Sequence, residues 1–173
     1  MMCKRLCFKM EKIDNSTLLE IASETSKPLF LIGFMGCGKS TSGALISQKT
    51  GKEFIDLDIY ITQKHNKSIP EIFENEGEQA FRLIEHSALK EIINIKNIIV
   101  ATGGGTPCFF DNMELMSQNG ITVYLKSSTK KLFERLISLK NTRPLLSGLS
   151  DEELEEREKY YLMSSYEINS IAF

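Results

Sequence analysis

The chain has 173 residues, 42% of them hydrophobic and 25% charged, and a formal net charge of −2. That length suits a single domain with its own core. The near-neutral charge excludes a general pull toward nucleic acid or an anionic membrane, so an anionic ligand must be held by local donors. No apolar run approaches the ~20 residues that span a bilayer.

Residues 1–26 differ in character from the remainder. "MMCKRLCFKMEK" is basic but lacks the continuous apolar core of a secretory signal. Glu11, Asp14, Glu20 and Glu24 argue against an organellar transit peptide. "DNSTLLEIASE" suits a short helix capped by Asp14 or Ser16. The reading is a flexible or loosely docked extension over 1–26, followed by one domain over 27–173. The four cysteines, Cys3, Cys7, Cys37 and Cys108, show neither disulfide-framework density nor zinc-finger spacing. A thiol at Cys37 suits a reducing compartment, and the expected location is the cytoplasm.

"KPLFLI" reads as a buried strand over 29–32, and "LIGFMGCGKST" follows it. Gly33-x4-Gly38-Lys39-Ser40 fits the phosphate-loop pattern without mismatch. Glycines let the backbone turn tightly and aim successive N–H groups at phosphate oxygens. Lys39 supplies a mobile cation for the β- and γ-phosphates, and Ser40 a hydroxyl for Mg²⁺. The helix that follows, ending at Gly51, turns its N-terminus to the anion. The alternative is a chance glycine-rich turn, expected in roughly one chain of this size in a hundred.

"EFIDL" (53–57) reads as the second strand, and "IDLD" puts Asp56 and Asp58 two residues apart at its end. Residues i and i+2 of a strand project to one side, so both carboxylates can face the crevice above the phosphate loop. One is suited to help hold Mg²⁺ and the other to take a proton from an attacking hydroxyl. In isolation such a pair is more often a helix cap and a solvated acid. After Gly77 a helical stripe runs through Phe81, Ile84, Ala88, Ile92 and Ile95. Arg82 falls about 100° off that stripe, where it either binds an anion or pairs with Glu85 on the surface.

"NIIVA" (97–101) is the third strand, and Gly103, Gly104 and Gly105 after it permit close backbone approach to a ligand. "ITVYL" (121–125), an amphipathic helix over 128–140 and "YEINSIAF" (166–173) complete five strands alternating with helices. Such alternation implies an α/β fold, a parallel sheet with helices on both faces and ligands at the carboxyl ends of the strands. "NTRPLLSG" carries Arg143 in a loop suited to a lid over the γ-phosphate.

Taken together, "GFMGCGKST", "IDLD", "EGEQAFRLIE", "TGGG" and "RPLL", in this order and at these intervals, resemble shikimate kinase, and "TGGGTPCFFDN" resembles its Bacteroidota versions. The resemblance spans about residues 28–168. It implies a five-stranded nucleoside-monophosphate-kinase-like fold and transfer of the ATP γ-phosphoryl group to the 3-hydroxyl of shikimate, in aromatic amino-acid biosynthesis. It further implies that Gly36, Cys37, Gly38, Lys39, Ser40 and Thr41 hold ATP, with Lys39 and Arg143 assisting catalysis. Ser40 would ligate Mg²⁺, with Asp56 acting through water. Asp58 would be the base and contact the shikimate hydroxyls, Arg82 the carboxylate, and Gly104 and Gly105 would offer backbone.

"REKYY" resembles the family's R-x-P-x-Y, giving Arg157 as a second carboxylate arginine, with Lys159 in place of the proline. The family pattern also implies that this chain has a shortened lid and lacks a terminal helix. Partners are expected to be ATP and shikimate only, with no nucleic acid or membrane, and the state monomeric. The rivals are a gluconate-type sugar-acid kinase and a nucleotide-binding protein without catalysis.

Overall fold

The computed structural model describes residues 10–127 and 151–169. The expected helix over 128–140, Arg143 and its lid loop, residues 170–173 of the last strand, and Cys3 and Cys7 lie outside the described residues.

Six strands form one sheet: β1 (Glu11–Lys12), β2 (Leu29–Ile32), β3 (Glu53–Asp56), β4 (Ile98–Ala101), β5 (Ile121–Lys126) and β6 (Tyr166–Asn169). Their order is β1-β6-β5-β2-β4-β3, and every pairing is parallel. Parallel neighbours need crossover connections, which the helices supply. These are α1 (Asn15–Glu24), α2 (Lys39–Thr50), α3 (Leu57–His65), α4 (Ile69–Ile92), α5 (Asn112–Asn119) and α6 (Asp151–Tyr161). Strands β2 and β4 are buried at every position, which explains their unbroken apolar runs. After β2 the chain builds β3 and β4 on one side, then β5 and β6 on the other. The phosphate loop leaves β2 at this reversal, the usual place for a ligand crevice.

Two expectations are corrected. Among the described residues the sheet has six strands, not five: Glu11 and Lys12 pair with Tyr166 and Glu167 of β6. Residues 10–26 are also not a loose extension. Asp14 caps α1 by accepting from Thr17 N at 2.8 Å, and Leu18 and Ala22 are buried in the main core. The Lys52 ammonium, itself buried, donates to the Thr25 carbonyl at the other end of α1. Only two positions of α1 are fully buried, so its apolar signal in the sequence is faint.

Helix α4 carries the break expected at Gly77, whose φ of 82° and ψ of 170° interrupt the helix. Phe81, Ala88 and Ile92 are buried as the stripe requires, while Ile95 lies beyond the helix and is 40% exposed. Among the described residues, no helix is long and apolar enough to cross a membrane.

Candidate active site

The phosphate loop is shaped by its glycines. Gly36 and Gly38 have φ of 78° and 100°, a left-handed region that side chains rarely adopt. Gly38 is the N-cap of α2, so the first N–H groups of that helix lack intrahelical partners and face the loop. Lys39 is buried, and its ammonium donates to the carbonyls of Gly33 (2.7 Å) and Phe34 (2.8 Å) at the base of the loop. Cys37 is buried with its sulfur 3.8 Å from the same ammonium. Ser40 and Thr41 are exposed in the first turn.

Asp56 and Asp58 both reach this crevice, though not by strand alternation. Strand β3 ends at Asp56, and Asp58 already belongs to the first turn of α3. Asp56 is the cap of that helix: Oδ1 accepts from the backbone N–H of Asp58 at 3.1 Å, while Oδ2 accepts from Ser40 Oγ at 2.6 Å. One carboxylate thus caps a helix and meets the loop hydroxyl. Among the described residues no group of three or more His, Cys, Asp or Glu side chains is arranged to hold a metal. Mg²⁺ in phosphoryl-transfer sites keeps several waters and takes one or two carboxylates plus phosphate oxygens. A lone Ser40–Asp56 pair beside a phosphate loop fits that pattern.

Arg82 is the main departure. The sequence places it on the surface side of α4, yet it is buried. Its Nη1 donates to Glu85 Oε2 and its Nη2 to Glu78 Oε1, each at 3.0 Å, and its Cζ lies 4.1 Å from the centre of the Phe109 ring. The loop after β4 folds over this face of α4 and covers the guanidinium. The three glycines make that approach feasible. A Cβ on Gly105 would lie 2.8 Å from both Nη atoms of Arg82. One on Gly103 would lie 2.9 Å from Glu85 Oε1 and 3.1 Å from Asp58 Oδ1. Asp58, Glu85 and Arg82 therefore surround one glycine turn.

Helix α6 closes the site from the other side. Tyr161, fully buried, donates its hydroxyl to the Gly104 carbonyl at 2.5 Å and meets Phe34 of the phosphate loop edge-on, centroids 4.9 Å apart. Arg157, one turn earlier, lines a cavity of about 280 Å³ with Cys108, Phe109, Glu152, Glu153, Glu156 and Tyr160. Burial pushes the Cys108 thiol up to about 11, while Arg157 and Arg82 both pull it down. One thiol therefore feels both guanidinium groups.

The residues matched by the shikimate kinase family model are 35–171. The chain is 46% identical over 147 residues to a shikimate kinase of Parabacteroides distasonis, covering 80% of this chain and 85% of that one. The chain belongs to the shikimate kinase family. It is also 49% identical to the shikimate kinase of Azobacteroides pseudotrichonymphae, over 79% of each chain. The crystal structure of shikimate kinase from Bacteroides thetaiotaomicron matches with a TM-score of 0.77 and 40% identity, over 83% of this chain and 86% of that one. The shikimate kinase from Acinetobacter baumannii, in complex with shikimate, matches with a TM-score of 0.76 and 32% identity, over 90% and 89%.

Within this shikimate kinase fold Glu85, expected only as a surface partner for Arg82, does pair with it but as a buried residue. Glu85 is 1% exposed and holds both Arg82 Nη1 and, at 2.5 Å, the Thr106 hydroxyl. Burial raises its carboxyl above the usual range, against the opposing pull of Arg82 and Thr106. The signal was present: Glu85 falls four residues after Phe81 and three before Ala88, on the apolar stripe itself, where a charged residue needs a partner.

Proposed function

We infer that the chain transfers the γ-phosphoryl group of ATP to the 3-hydroxyl of shikimate, giving shikimate 3-phosphate and ADP. The observation that carries this reading is the turn Gly103–Gly105 with Asp58 on one side and the Arg82–Glu85 pair on the other, beside a complete phosphate loop. An acid and a buried arginine at opposite ends suit a carboxylated polyol ring.

Residue by residue, the loop amides and Gly36, Cys37, Gly38, Lys39, Ser40 and Thr41 cradle the ATP phosphates. Lys39 is drawn from the loop carbonyls toward the β- and γ-phosphates. Ser40 and Asp56 are the groups that would hold Mg²⁺, which when bound neutralises charge on the phosphate oxygens. Arg82 and Arg157 grip the acceptor carboxylate, while Gly104 and Gly105 line the ring. Asp58 accepts the proton of the 3-hydroxyl as its oxygen bonds to the γ-phosphorus and the bond to the β-phosphate oxygen breaks. By resemblance to the family, Arg143 belongs to the lid. The enzyme is read as a cytoplasmic monomer.

A coupled assay of ADP release tests the reading, run with shikimate, with gluconate and without acceptor. Turnover should depend on shikimate. Faster turnover with gluconate, or ADP release indifferent to either acid, overturns it. A gluconate-type kinase is the less favoured alternative, because nothing observed here favours an open-chain acid over a ring.

A further inference from the structure

Three residues of α4 within about one turn, Arg82, Glu85 and His86, all meet the segment 106–112. Phe109 lies over the Arg82 guanidinium, the Thr106 hydroxyl donates to Glu85, and His86 stacks on Phe110 with ring centroids 4.9 Å apart. Behind them sits Asn112, fully buried. Its Nδ2 donates to the Thr106 carbonyl at 2.9 Å, and its Oδ1 lies 2.6 Å from His86 Nδ1.

The hydrogens follow from this arrangement. A carbonyl only accepts, so the Asn112 nitrogen must face Thr106 and its oxygen must face His86. His86 Nδ1 therefore carries a proton and donates it. Its other nitrogen lies 3.7 Å from Asp111 Oδ1. The contacts run in series: His86 donates to Asn112, Asn112 to the Thr106 main-chain carbonyl, the Thr106 hydroxyl to Glu85, and Arg82 to the same Glu85 carboxylate. Thr106 and Asn112 are both 0% exposed and Glu85 is 1% exposed, so no solvent molecule replaces a lost link without rearrangement. Phe110, in the same segment, has φ 52°, an uncommon value for a bulky residue.

We propose that Thr106, Asn112 and His86 are positioning residues that fix Glu85 and, through it, the direction of the Arg82 guanidinium toward the acceptor carboxylate. This rests on the reading above that Arg82 grips that carboxylate. None of the three touches the acceptor. Their effect is to hold one edge of the guanidinium on Glu85 so that the other edge meets the ligand at a fixed angle, which a flexible arginine would reach only part of the time.

Thr106→Val removes the hydroxyl and keeps the shape, while Thr106→Ser keeps the hydroxyl. Thr106→Val should raise the shikimate KM about ten- to a hundredfold, as for loss of a hydrogen bond to a charged group, with the ATP KM within about twofold of wild type. Thr106→Ser should restore most of it. His86→Phe retains the ring stack and loses the donor, and should raise the shikimate KM about two- to fivefold. It serves as the second variant should Thr106→Val not fold. A shikimate KM unchanged in His86→Phe and Thr106→Val, a parallel rise in both KM values, or failure of serine to rescue each overturns the proposal.

The Nε–H resonance of Arg82 in ¹⁵N-labelled protein, assigned by its loss in Arg82→Lys, reports on the same geometry without substrate. It should be sharp in wild type, broadened in Thr106→Val and recovered in Thr106→Ser. An unchanged resonance overturns the proposal. Wild-type protein that fails to phosphorylate shikimate while the resonance behaves as stated overturns the functional reading alone.

Discussion

Arg82 Nη2 lies 3.0 Å from Glu78 Oε1, and Arg82 Nε lies 3.2 Å from the same oxygen. The remaining edge of the guanidinium belongs to Glu85. These two carboxylates are not equivalent: the Glu78 side chain is 55% exposed, whereas that of Glu85 is 1% exposed. Glu78 therefore occupies the solvent-facing edge that an incoming carboxylate would need, and Glu85 the edge that stays fixed.

Glu78→Gln should consequently lower the shikimate KM. Exposed ion pairs contribute about 0.2–1 kcal/mol, so the fall should be at most roughly fivefold, with the ATP KM unchanged. Steady-state kinetics with each substrate varied separately provide the measurement. A rise in the shikimate KM would mean that Glu78 orients Arg82 rather than competing for it.

Asp58→Asn should cut kcat by ~10²–10⁴-fold, the usual contribution of a general base, while ATP binding stays close to wild type. The asparagine keeps the shape of a side chain packed beside Gly103 and removes its ability to take a proton. A variant retaining more than about a tenth of wild-type kcat would exclude Asp58 as the base.

The parts of this site that were legible in the sequence are those where backbone geometry restricts residue type. Gly38-Lys39-Ser40 and the Gly103–Gly105 turn could be read because other residues do not fit a left-handed cap or a turn pressed against a guanidinium. Asp56 and Asp58 were found at the right place for an incomplete reason. Strand period 2 brings i and i+2 together, but here the helix starts at Leu57, and the cap at Asp56 turns both acids to the crevice. Helical periodicity sets Arg82 outside the core stripe and cannot register that the loop after β4 covers it. Strand β1 has two residues, both exposed, and so carries no pattern to detect. The misses at Arg82 and β1 involve contacts between segments far apart in sequence, whereas that at Asp58 is a local helix start.

Asp14 gives a pH dependence with a definite sign. Its carboxylate accepts from the Thr17 N–H first, then from the Ser16 and Thr17 hydroxyls, and is held down to about 2 from an ordinary value of 3.8. A folded-state value below the unfolded one means that the unfolded chain binds more protons between them. The contribution is therefore fully present above about pH 4 and is lost as pH falls toward 2. Asp14→Ala should lower the urea midpoint at pH 6, and the gap from wild type should narrow steadily below pH 4. A gap that stays constant down to pH 2.5 would show that the cap acts without its charge.

Leu18 tests whether the β1–α1 unit is part of the folded core. Its side chain is 1% exposed among the core residues, and α1 is tethered at its far end by Lys52. Truncating a buried leucine to alanine costs about 2–5 kcal/mol, through the lost transfer free energy and the cavity left behind. In a domain of this size each kcal/mol corresponds to about 2–4 °C, so Leu18→Ala should lower Tm by roughly 5–20 °C. Ser23→Ala, on the exposed side of the same helix, removes one bond to the Leu19 carbonyl and should change Tm by less than about 2 °C. Calorimetry of both variants separates burial from helix propensity. Equal and small shifts would return residues 10–26 to the status of an appendage, and a large shift confined to Leu18→Ala makes α1 a structural member of the kinase domain.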